Sequence, residues 1–266
     1  MSNIFNENLS KYAELVVKVG VNIQKNQFLY ITTSTDALDL ARLITKKAYE
    51  AGARQVFVDL ADDQIGRARY ELAPDDSFDF FPEWKVKERE WLAEQGAAFV
   101  SIVSQSPDLL KGIDSKRIAT FQKAAGTALN KYRQYVQSDK ISWTVIASPS
   151  EAWAEKVFPN LPKEKQVDAL WDAIFKATRS DLENPVEAWT KHNDTLHEKV
   201  HYLNAKKYAK LHYTAPGTDL TIELPKGHLW CGAGSVNEKG EEFMANMPTE
   251  EVFTVPHKDG VNGYVS

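Results

Sequence analysis

Apolar residues recur at three- and four-residue steps at the start of the chain. There Phe5, Leu9, Tyr12, Leu15, Val16 and Val19 form one helical face, and Gly20 follows as a C-cap. A strand-like run at 28–32 comes next. Thr33, Ser34, Thr35 and Asp36 are N-cap residue types and introduce a second helical pattern over 37–51, ended by Gly52. A second strand-like run covers 55–60. The spacing then predicts helices over 62–72 and 83–95, the latter closed by Gly96, and a β-branched strand over 97–104. A helix over 115–130 and a fourth strand over 143–147 follow.

Strands separated by helices call for parallel crossovers with helices on both sheet faces. The expected fold class is therefore α/β, with an open three-layer N-terminal sheet. Three helical patterns come after the fourth strand, over 150–157, 164–178 and 185–204, the last opening with Pro185 in its first turn. Beyond Lys207 long helical periods disappear. Strand patterns cover 211–213, 219–224 and 251–255, with turns at Pro216-Gly217, Pro225-Lys226-Gly227 and Lys239-Gly240. The expected division is an α/β domain over 1–206 and the beginning of a β-rich domain over 207–266.

Composition narrows the classes. The 266 residues are 43% hydrophobic and 26% charged, with a formal net charge of −5. Such a chain needs no disulfide or metal to stabilise a core, and its acidic balance disfavours a general nucleic-acid or membrane-surface binder. Cys231 is the single cysteine, which fits a reducing compartment. The first twenty residues lack the apolar core of a signal peptide, and no stretch approaches the roughly 18 apolar residues of a membrane helix. The expected location is the cytoplasm.

Four motifs need weighing. His197-Glu198-Lys199-Val200-His201 matches HExxH, which on a zincin helix places two imidazoles one turn apart with a glutamate base. Here Val186, Trp189, Leu196, Val200 and Leu203 form the apolar stripe; the two histidines flank it and Glu198 points away. His192, Lys191, Asp194 and Lys199 give the neighbourhood the character of a solvated face. The match reads as a decoy. Gly232-Ala233-Gly234-Ser235 has no Lys-Ser/Thr pair and no strand–glycine–helix context, so it reads as a turn. Lys116, Arg117, Lys123, Lys131 and Arg133, interleaved with Phe121, Tyr132 and Tyr135, could meet phosphates or a peptide carboxylate, but read better as a solvated helix face. A Rossmann reading fails for want of a glycine fingerprint after the 28–32 strand. Finally, Glu250 and Glu251 are adjacent in a strand pattern, which sends them to opposite faces, so one of the two can enter a given site. Spacing alone makes this an exposed acidic edge.

Particular segments carry more than spacing does. They are Glu7-Asn8-Leu9 with Tyr12-Ala13-Glu14-Leu15, Ile141-Ser142-Trp143-Thr144, Lys156-Val157-Phe158-Pro159, and the run from Leu170-Trp171-Asp172-Ala173 to Arg179. Tyr213-Thr214-Ala215-Pro216-Gly217-Thr218-Asp219-Leu220-Thr221 and Asn246-Met247-Pro248-Thr249-Glu250-Glu251-Val252-Phe253-Thr254-Val255-Pro256 are the most distinctive. In these the chain resembles, over essentially its whole length, the metallo-aminopeptidase family that includes aminopeptidase T and aminopeptidase S (PepS).

The resemblance implies a hydrolase that releases N-terminal residues from peptides with a free N-terminus, using two divalent ions such as zinc or cobalt. It maps one metal ligand to Glu251 and none to Glu250 or the HExxH histidines. It implies a homodimer, no nucleic-acid or membrane partner, and an N-terminal domain that covers or gates the site. It also implies that relatives continue beyond the position of Ser266. A second glutamate, two histidines, an aspartate and a catalytic tyrosine are expected from that part. The catalytic residues are thus expected beyond Ser266, the 207–266 domain is expected to be truncated, and this chain is expected to be inactive.

Overall fold

The computed structural model describes residues 3–266. The first helix, α1 (Asn3–Leu15), runs directly into a π-helical turn at Val16–Gly20 instead of ending on a glycine cap. Gly20 serves close approach: a Cβ there would lie 3.1 Å from Met247 Sδ and 3.2 Å from Thr144 Cγ2. β1 (Phe28–Ser34) takes in Thr33 and Ser34, two of the residues expected to cap the next helix. That helix, α2 (Leu38–Glu50), is entered through a 3₁₀ turn with no side-chain cap, and Gly52 closes it at φ +97°.

β2 (Gln55–Ala61) leads to α3 (Asp63–Leu72), where Asp62 Oδ1 accepts from the Ile65 N–H at 2.9 Å. α4 (Glu83–Glu94) precedes β3 (Ala98–Val103). The single helix expected over 115–130 is two, α5 (Ser115–Ala128) and α6 (Asn130–Gln137). They meet at buried Leu129, whose backbone (φ −91°, ψ 12°) departs from helical geometry. β4 (Trp143–Ala147), α7 (Glu151–Val157) and α8 (Lys163–Ala177) follow.

These strands form one parallel sheet in the order β10-β4-β3-β1-β2, where β10 is Asn246–Met247. Alternation along β1 and β3 gives the centre of the sheet two buried faces, while the edge strand β2 has no buried residue. On one, Tyr30 and Phe99 pack with Leu92, Ala93 and Ile141, against Tyr132, Tyr135 and Val136 of α6. The opposite positions, Leu29 and Ile31, are fully buried, with α2 packed on β1 and α1 on α2. The α/β architecture with a parallel sheet flanked by helices is as expected.

The chain divides into two compact units. The first runs up to Ala188 and includes Ser235–Pro248; the second comprises Trp189–Gly234 and Thr249–Ser266. This division differs from a boundary at Lys206. It falls inside α9 (Pro185–Lys206), and the stretch with β8 (Ser235–Val236), β9 (Glu242–Phe243) and β10 returns to the first unit. The second unit holds an antiparallel sheet, β12-β6-β5, of β5 (Lys210–Ala215), β6 (Thr218–Glu223) and β12 (Val261–Val265). Pro216-Gly217 turns β5 into β6, with Gly217 at φ +77°. β7 (Cys231–Gly232) pairs with β11 (Val252–Phe253). No helix among the described residues is long and apolar enough to cross a membrane.

Candidate functional site

Glu251 lies in the second unit, immediately before β11. The strand expected over 251–255 is reduced to a two-residue ladder, because β7 offers only Gly232 and Cys231 as partners for Val252 and Phe253. The glutamate is exposed. Its carboxylate makes no hydrogen bond or ion pair with any described residue, a condition suited to a metal ligand, whose oxygens must be available. Glu250, exposed beside it, brings Oε2 to 3.4 Å from His192 Nε2.

The backbone carrying Glu251 is held from both sides. His192 Nε2 donates to the Thr249 carbonyl at 2.7 Å, two residues upstream. The side-chain oxygen of Asn193 accepts from the Gly234 N–H at 2.7 Å. Gly232 has φ +152°, and a Cβ on it would sit 2.7 Å from the Glu251 carbonyl oxygen and 2.9 Å from Val252 Cα. Glycine at 232, the last residue of β7, thus permits two paired backbones to approach. His192, expected on a solvated face, has a side chain only 14% exposed and forms an edge-to-face contact with Trp189, which is fully buried.

The HExxH residues stand apart from this arrangement. His197 Nδ1 lies 3.1 Å from the Asn193 carbonyl of its own helix, Glu198 and His201 are exposed, and the imidazole centroids are 6.4 Å apart. Trp189 and Leu196 of the expected stripe are buried. Among the described residues, no three His, Cys, Asp or Glu side chains form a group that could hold a metal ion. The donor chemistry of Glu251 fits one ligand of a dication, and the described residues do not complete a metal site.

In the first unit, a cavity of about 440 Å³ opens near the carboxyl ends of β1, β2 and β3, where ligands of open parallel sheets commonly bind. Its acids have local work: Asp62 caps α3 and accepts from Thr35 at 3.0 Å, Asp63 accepts from Ser106 N at 2.8 Å, and Asp108 pairs with Lys156 at 2.6 Å. Asp36 faces them, and partial burial followed by repulsion from Asp63 and Asp62 pushes its carboxyl above the usual range. The basic stretch is likewise engaged locally, with Arg117 on Asp75 at 2.7 Å and Lys131 on Glu94 at 2.6 Å.

With this geometry in view, comparison with known proteins defines the class. Residues 5–266 match the model of the thermophilic metalloprotease family (M29), and the chain belongs to that family. It is 60% identical over 262 residues to aminopeptidase AmpS of Bacillus subtilis, a match covering 98% of this chain and 64% of that protein. It is 48% identical to aminopeptidase 2 of Geobacillus stearothermophilus, covering 99% and 64%. The structure of wild-type AmpT from Thermus thermophilus superposes with a TM-score of 0.91 at 39% identity, covering 97% of this chain and 64% of that one. The chain thus spans 64% of the length of these relatives.

The family resemblance mapped a ligand to Glu251, whereas spacing alone gave an exposed acidic edge there and gave no role to His192 and Asn193, the residues that hold its surroundings. The signal available for both was slight: they lie between Trp189 and Leu196 of the apolar stripe on the same helix.

Proposed function

We propose that the protein is a metal-dependent aminopeptidase that releases N-terminal residues from peptides, with Glu251 one ligand of a pair of divalent ions such as zinc or cobalt. Family membership supports the peptidase class, and the aminopeptidase names of its relatives support the substrate end. The observation that carries the role of Glu251 is its free carboxylate on a backbone fixed on both sides. When bound, divalent ions supply Lewis acidity and activate water for hydrolysis at neutral pH. The chain's own part is to present a negative, bridging-capable oxygen pair at a defined place. The remaining ligands, a second glutamate, two histidines and an aspartate, with a catalytic tyrosine, are proposed to lie beyond Ser266. A polypeptide of residues 1–266 alone is then expected to be inactive. The protein is proposed to work in the cytoplasm, as a homodimer.

The test measures metal content and hydrolysis of a chromogenic amino-acid amide for the protein as its gene encodes it, beside Glu251→Gln. The amide keeps the shape and removes the charge, so both metal retention and activity should fall together. Unchanged metal affinity in the variant refutes the ligand assignment. Hydrolysis by residues 1–266 alone, with added cobalt or zinc, refutes the proposal that further ligands are needed.

A further inference from the structure

The two side chains that hold the Glu251 segment are successive residues of one helix. His192 takes the Thr249 carbonyl, on the segment that leads through Glu251 into β11, at 2.7 Å. Asn193 takes the Gly234 N–H, in the loop leaving the opposing strand, at 2.7 Å. Between these two bonds lies the β7–β11 ladder, whose Gly232 lets the Glu251 carbonyl pass at a distance no side chain tolerates. We infer that His192 is a positioning residue: through the Thr249 carbonyl it fixes where the Glu251 carboxylate stands. The inference rests on the reading of Glu251 as a metal ligand.

The physical reasoning is one of leverage. A two-residue ladder contributes few hydrogen bonds and does not restrain its own entry by itself. Glu251 sits outside that ladder, so its backbone is restrained on the downstream side by Val252 and on the upstream side by the Thr249 carbonyl. The carbonyl can only accept, so His192 Nε2 is the donor in this bond. The ring is mostly buried and rests edge-on against Trp189, which leaves it little freedom to move away. Groups that orient a ligand without touching the metal typically change metal affinity by about 10–100-fold when removed. Here the orientation acts through backbone, which places the expected effect near about tenfold, the lower end of that range.

Two variants separate a hydrogen bond from packing: His192→Gln, whose amide can donate at roughly the reach of Nε2, and His192→Leu, which fills space without donating. In the protein as its gene encodes it, zinc affinity is measured by competition with a chromophoric chelator. Melting of the metal-free protein is recorded alongside, and kcat is separated from KM. His192→Leu should weaken zinc binding about tenfold and lower kcat with KM little changed. His192→Gln should restore most of both. Wild-type zinc affinity in His192→Leu overturns the inference. So does an equal loss in both variants, which would make ring shape the cause. Glu251→Gln run in parallel separates the two ideas. If it loses zinc while His192→Leu does not, only the positioning role fails; if it keeps zinc, the ligand reading fails and takes this role with it.

Discussion

Replacing Tyr12 with phenylalanine removes one oxygen from the core of the first unit, and the structure says what that oxygen does. Val145 N–H bonds the Ala245 carbonyl, but β10 ends at Met247, so two residues further along β4 the sheet has no partner strand on that side. The Tyr12 hydroxyl takes its place. It donates to the Ala147 carbonyl at 3.0 Å and accepts from the Ala147 N–H at 3.2 Å. Phenylalanine would strand both backbone groups. A desolvated polar group left without a partner costs about 1–3 kcal/mol, and Ala147 is only partly buried, so the sum should be about 2 kcal/mol at neutral pH. For a unit of this size that corresponds to a fall in Tm of roughly 4–8 °C.

The same oxygen makes a second, opposite contribution at high pH. Burial holds the Tyr12 hydroxyl above the ordinary phenol range, with the Ala147 hydrogen bond offsetting only part of the effect. In the unfolded chain tyrosine ionises near pH 10. Above that pH the unfolded state has released a proton that the folded state keeps, so stability present below about pH 10 is lost at about 1.4 kcal/mol per pH unit. Phenylalanine has no such loss. Tyr30, also raised by burial and next by the nearby Asp59 carboxylate, titrates in both proteins and cancels in the difference. The variant's deficit of about 2 kcal/mol should therefore shrink above about pH 10 and vanish near about pH 11.5. Urea unfolding of both proteins from about pH 7 to about pH 11 reads the gap directly. A gap that stays constant over this range refutes the assignment of the hydroxyl as buried and neutral.

Three shorter predictions concern the other elements. Gly232→Ala puts a Cβ 2.7 Å from the Glu251 carbonyl, and neither atom can swing aside, so zinc affinity by chelator competition should fall by more than about tenfold. His197→Ala removes the first histidine of the HExxH match, and peptide hydrolysis should stay within about twofold of wild type, because among the described residues His197, Glu198 and His201 join no group able to hold a metal ion. Ser150→Ala removes the hydroxyl that accepts from Trp153 N–H at 3.3 Å at the start of α7, and thermal melting should show a loss of about 1 kcal/mol.

Much of the fold could be read from periodicity because the elements in question are long and bury a face. β4 spans the residues its pattern indicates, and α8 and α9 lie within two residues of theirs. Periodicity failed where elements are too short to have a period. β10 is two residues long, and it enters the parallel sheet only because Asn246 and Met247 reach the open edge of β4 from far along the chain. The break at Leu129 was hidden for another reason. The apolar positions on either side of it continue at helical spacing, so composition gives no sign that the helix breaks there.

The site shows the same division, with the roles of conspicuous and inconspicuous residues exchanged. α9 contains a motif with a strong chemical meaning, and its two histidines are left against their own helix and in solvent. Five residues before the first of them, His192 sits among Lys191 and Asp194 and looks like one more polar residue on a wet face. Spacing along the helix decides between them. Trp189 is buried, and a residue three positions later lies on the same side of the helix, which brings His192 to the edge of the apolar stripe, where a ring can be covered and still reach a backbone carbonyl. His197 lies eight residues after Trp189, about two turns on, and its Nδ1 lies 3.1 Å from the carbonyl of Asn193 in its own helix. Chemistry on this helix therefore follows from which carbonyls lie within reach of a half-covered imidazole, and a pattern of residue types five letters long carries no information about that.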